Sequence, residues 1–161
     1  MPPNTSSTKN ADELSKELVE FIKSDKLKSL KDYPIRTLVQ HAEEFGSELR
    51  RQRLETNQIR KFLDALNQLK AQLAREVSPD DIASEVDEIE IKDALLKSEL
   101  ETKVVLLKPK LAYAAARQGA VKPLSQVMSA AIDKVHSKAD FERLVQLVES
   151  IIAYHKAEGG R

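Results

Sequence analysis

From residue 11 onward the apolar residues recur at intervals of three and four, the spacing that puts them on one face of an α-helix. Leu14, Leu18, Phe21 and Ile22 form a first stripe, and Ile35, Leu38, Val39, Ala42, Phe45 and Leu49 a second, which resumes after Pro34, a residue suited to a first helical turn. Thr56 reads as the N-cap of a third helix, whose Ile59, Phe62, Leu63, Leu66, Leu69 and Leu73 keep the same step. Ser78, Pro79 and Asp81 then read as the start of an acidic helix through Ile82, Val86 and Ile89.

A further stripe runs through Leu96, Leu100, Val104, Leu107 and Leu111, where Pro109 removes a backbone donor and predicts a kink. Gly119 and Pro123 mark a loop, after which Leu124, Val127, Met128, Ala131, Ile132 and Val135 resume helical spacing. Ser137 and Asp140 form a Ser-x-x-Asp cap signal for a last helix carrying Phe141, Leu144, Val145, Val148, Ile151 and Ile152, ended by Gly159 and Gly160. The pattern predicts an all-α fold, a single compact bundle of about five to six helices over residues 11–161. Residues 1–10, with no apolar residue beyond Met1, are expected to be a disordered tail. No repeat and no sustained heptad points to a coiled coil.

Composition sharpens this picture. Leu, Ala, Glu, Lys and Gln are abundant and aromatics make up only 4% of the 161 residues, which favours helix over strand. The absence of Cys excludes disulfides, thiolate zinc sites and cysteine nucleophiles. No signal peptide and no run of roughly 18 apolar residues is present, so a cytoplasmic location without membrane contact is expected. Net charge is zero, yet residues 76–101 carry ten acidic and two basic residues while residues 102–138 carry seven basic and one acidic. Such segregation is either a set of solvated helix faces or a polarised partner surface.

Catalytic chemistry finds no foothold. His41, His136 and His155 are isolated from one another and form no H-x-x-x-H or E-x-x-H pair, so no metal site and no cofactor is expected. Four glycines cannot build a phosphate-cradling loop. Two stretches have the chemistry of nucleic-acid binding instead. Around Leu107–Arg117, Lys103, Lys110 and Arg117 fall on one strip at about 100° per residue, with Tyr113 beside the latter two. Cations there would neutralise phosphates while the tyrosine stacks on a sugar or base; the alternative is that Tyr113 plugs the core and the cations snorkel from its edge. In Thr56–Phe62, Arg60 and Lys61 lie at a helix start, where a phosphate would reconcile their charge with the helix dipole, and Arg50, Arg51 and Arg53 enlarge the basic region.

Three motifs in order, Q-I-R-K-F at 58–62, P-K-L-A-Y-A-A-A-R at 109–117 and A-Y-H-K at 153–156, resemble the small α-helical subunit of the type III-A CRISPR (Csm) effector complex. Ala116 stands where that family has glycine, and the aromatics that often follow A-Y-x-K are missing. The resemblance implies a non-catalytic bundle that stacks in several copies along other Csm subunits and helps hold crRNA and target RNA in antiviral defence. It implies RNA-facing roles for Arg60, Lys61, Lys108, Lys110, Tyr113 and Arg117. A generic helical protein-protein adaptor with no RNA role is the alternative.

Overall fold

A helix start leaves backbone N–H groups without partners, and a polar side chain just ahead of it can satisfy one. In the computed structural model, which describes residues 9–76 and 97–159, Asn10 does this: its side-chain oxygen accepts the Glu13 N–H at 2.8 Å and opens α1, Ala11–Lys23. Lys9 pairs with Glu17 of that helix, so the end of the expected tail is tied down; residues 1–8 lie outside the described residues. Leu14, Leu18 and Ile22 are the buried stripe of α1.

A short 3₁₀ turn, Leu30–Asp32, leads into α2, Ile35–Arg51, and α3 follows at Thr56–Glu76. Residues 97–105 are helical, a turn at Leu106 interrupts them, and α4 spans Leu107–Arg117. The interruption falls where Pro109 demands it, because the ring crowds the carbonyl four residues back, that of Val105, and offers it no donor. A second 3₁₀ turn, Gly119–Val121, precedes α5, Lys122–Ile132, and α6, Lys138–Ala157, closes the order. Every regular element among the described residues is helical. The acidic helix expected from Ser78 through Ile89 lies outside them.

Three boundaries differ from expectation. Pro34 lies just before α2 and not in its first turn; Thr56 is inside α3 and does not cap it; Pro123 occupies the first turn of α5 and not a loop. Prolines fit either side of a helix start because the first-turn N–H groups have no intrahelical acceptor.

The core is organised around α6, whose Phe141, Leu144, Val148, Ile151 and Ile152 are buried against α2 and α3. Helix α5 holds α1 and α4, and α1 also touches α2, joining the two groups. Helices α2 and α6 run parallel: Arg143 donates to the Tyr33 carbonyl ahead of α2, and Arg51 at its far end pairs with Glu158 at 3.2 Å. Their backbones approach closely at Gly46, where an added Cβ would stand 2.6 Å from the Ile151 carbonyl oxygen.

The Ser137 cap forms as expected, its hydroxyl accepting the Asp140 N–H at 3.1 Å. The Asp140 carboxylate, 1% exposed, reaches outward to accept the backbone N–H groups of Lys31 at 2.7 Å and His136 at 2.8 Å. Lys134 adds a 2.6 Å bond to the Leu27 carbonyl, so the α1–α2 connection is stitched to the start of α6. Nearby, the buried Tyr33 hydroxyl is hydrogen-bonded to His41 Nδ1 at 2.6 Å, and both rings pack on Phe21.

Candidate nucleic-acid interface

Helix α4 lies at the edge of the bundle and packs on α5 and the neighbouring 3₁₀ turn, so only Leu107 and Leu111 of its side chains are buried. The opposite face is left to solvent, and three- and four-residue spacing places Lys110, Tyr113 and Arg117 together on it. Tyr113 is 64% exposed, which rules out a core plug. The Arg117 guanidinium stands 5.7 Å from its ring centroid, a cation–π geometry, and its Nη1 donates to the tyrosine hydroxyl at 3.4 Å. Lys110 is exposed and forms no ion pair or side-chain hydrogen bond among the described residues. The three make a short cationic and aromatic strip with one ring face already braced by a cation.

The rest of the expected strip is divided. Lys108 points toward α5 and pairs with Asp133 at 2.7 Å, so its charge is already shared. Lys103 precedes the turn at Leu106 and lies 3.7 Å from Glu99, so the strip is continuous only from Lys110 to Arg117. Val105 and Leu106, the latter 60% exposed, form an apolar step beside the strip. The periodicity did not reveal this step, although the Pro109 interruption was its signal.

On α3, Ile59 and Phe62 are buried while Arg60 and Lys61 are exposed and unpaired among the described residues. Because α3 begins at Thr56, the two cations occupy its fifth and sixth positions, beyond the first turn where the dipole acts. The helix dipole therefore does not call for a phosphate beside them, and they stand as two exposed cations. The arginines before them do different work. Arg51 is held by Glu48 at 3.1 Å and by Glu158; Arg50 is half-buried, its enclosed Nε without a hydrogen-bond partner among the described residues; Arg53 is exposed and adopts a positive φ of 68°. Among the described residues no hydrogen bond, ion pair or ring contact links Arg60 and Lys61 to the α4 strip.

The closing motif reaches the residues just ahead of the first motif. His155, in the segment closing α6, is 1% exposed; its Nε2–H donates to the Leu54 carbonyl, and its Nδ1 accepts from the Thr56 hydroxyl at 3.3 Å. Burial lowers the proton affinity of this imidazole, the Leu54 carbonyl works the other way, and the positive Arg50 adds to the lowering. Among the described residues no group of three or more His, Asp or Glu could hold a metal ion, and no helix is long and apolar enough to cross a membrane.

A family model described as Csm2 Type III-A matches residues 31–161, a span containing all three motifs. No curated protein and no solved structure matches the chain.

Proposed function

Since the chain belongs to the Csm2 Type III-A family, and so is a small subunit of the Csm complex in CRISPR defence, we propose that it holds crRNA and target RNA through backbone contacts and catalyses no reaction. The observation that carries this reading is the exposed strip of Lys110, Tyr113 and Arg117 on a helix whose other face is buried. Two unscreened cations there neutralise phosphates, and a ring braced from one side by a guanidinium offers its other face for stacking. Arg60 and Lys61 form a second phosphate contact, and Lys108 joins the first by exchanging Asp133 for a phosphate. Neither stacking nor charge neutralisation reads base identity, which suits a scaffold whose sequence choice is delegated to base pairing.

Residues 11–161 act as one helical domain in this reading, in the cytoplasm, beside other Csm subunits and stacked copies of the same chain. Opposed charges of the acidic stretch 76–101 and the basic stretch 102–138 support a head-to-tail arrangement of copies.

The test is a charge reversal, Lys110→Glu with Arg117→Glu, in the reconstituted complex, with target-RNA affinity measured across a salt series. Removing a cation from a phosphate weakens binding and flattens the log–log salt slope by about one unit or less. Glu149→Lys, a charge swap at an exposed position of α6, serves as control. A folded, assembled double variant with unchanged affinity and slope would remove the RNA role and leave a protein-protein adaptor.

A further inference from the structure

The connection between α2 and α3 turns in a confined space. Arg53 takes a left-handed backbone conformation, uncommon for a residue with a Cβ, and the next residue, Leu54, is buried with its N–H bonded back to the Leu49 carbonyl at 3.0 Å. The Leu54 carbonyl is then enclosed by protein and needs a donor. His155 supplies it through Nε2–H, which fixes the proton on that nitrogen and leaves Nδ1 to accept from Thr56. One imidazole on α6 thus grips both the end of the connection and the first residue of α3. Arg60 and Lys61 follow about one turn later, with buried Ile59 ahead of them.

We infer that His155 is the positioning residue for the cations of α3: its two hydrogen bonds fix the helix start on α6, so that Arg60 and Lys61 leave the surface at a set place and angle toward RNA. This rests on the RNA reading above. Close packing supports it, because a Cβ at Gly46 would lie 3.1 Å from the His155 backbone nitrogen, so α2 leaves α6 no room to slide at this point. The charge around the ring supports it as well. Arg50 faces it from α2, α3 contributes the uncharged Thr56, and Leu54 contributes a carbonyl. A second proton, on Nδ1, would reverse the direction of the bond to the Thr56 hydroxyl and place a buried cation beside Arg50. The grip therefore belongs to the neutral ring and loosens in acid.

The full-length chain, His155→Gln, His155→Phe and the pair Arg60→Glu with Lys61→Glu are compared using a fluorescently labelled RNA duplex. Glutamine places an amide N–H near the position of Nε2 and does not titrate; phenylalanine fills the space without bonding. Without RNA, amide exchange over residues 54–62 is expected to rise about tenfold in His155→Phe, the worth of one hydrogen bond, and to stay near wild type in His155→Gln. RNA affinity should fall in His155→Phe and be retained in His155→Gln. As pH falls below the ordinary imidazole value of 6.5, wild-type affinity should drop relative to His155→Gln. Unchanged exchange in a folded His155→Phe, or identical pH dependence of wild type and His155→Gln, overturns the positioning role; the second comparison decides even where the phenylalanine variant fails to fold. If exchange rises in His155→Phe but the Arg60/Lys61 reversal binds RNA like wild type, the RNA reading of α3 fails instead.

Discussion

Replacing Gly46 with alanine pits two opposed effects against each other at one position. Alanine is the better helix former by about 1 kcal/mol, so an exposed site in α2 would gain from the change. Gly46 is not exposed: its new Cβ would meet the Ile151 carbonyl oxygen at 2.6 Å, the His155 nitrogen at 3.1 Å and the Tyr154 Cβ at 3.2 Å. The first two are backbone atoms of α6 and cannot rotate away, so α2 and α6 must separate. A radial gap of roughly 0.5–1 Å forfeits about a quarter to a half of each dispersion attraction, and overpacking of this kind costs about 1–3 kcal/mol. With a rigid obstacle the upper end applies, and subtracting the propensity gain leaves a net loss of about 2 kcal/mol. For a chain of this size that lowers the melting temperature by about 4–8 °C. Urea denaturation followed by circular dichroism should show a lower midpoint with unchanged slope. Gly119→Ala is the matched control, since its Cβ meets nothing within 4 Å. If Gly46→Ala proves as stable as wild type or more so, helix propensity outweighs packing and the close approach of α2 and α6 is refuted.

Asp140→Ala removes the acceptor of two backbone N–H groups and should cost about 2–4 kcal/mol in chemical denaturation, with Asp140→Asn losing less; a cost within error of zero would show that water or another acceptor replaces it. His41 is also shifted down, chiefly by burial and against the pull of Glu44 and Glu17, so like His155 it takes up its proton more readily in the unfolded chain. The stability that both neutral rings provide is therefore complete above their ordinary value of 6.5 and is lost as pH falls below it toward their folded values. Unfolding free energy measured across that range should fall toward acid, less steeply in His155→Gln, and a flat profile would contradict the burial assigned to both rings.

The helices were legible because their signal is local. Ile59, Phe62, Leu66, Leu69 and Leu73 announce a buried face by spacing alone, and all five are buried. Spacing was silent on Leu27, Leu30, Tyr33 and Leu54, which are equally buried but sit in connections, where no period exists to read. The strip from Lys110 to Arg117 was visible because one helix carries it, whereas the partnership of Lys108 with Asp133 joins two helices and depends on their packing. His155 could be read only as an isolated histidine; its meaning comes from Leu54 and Thr56, about a hundred residues earlier in the chain.

The parallel pairing of α2 with α6 also governs when the molecule can come into being. The Tyr33 and Arg143 it brings together are 110 residues apart, and that long a loop must be closed before the interface rewards the closure. A bundle of antiparallel neighbours can assemble hairpin by hairpin, but here α2 and α3 wait for α6. During translation the surfaces that α6 covers stay open until α6 has left the ribosome, which makes the nascent chain a substrate for chaperones and makes loss of α6 by a premature stop equivalent to loss of the protein.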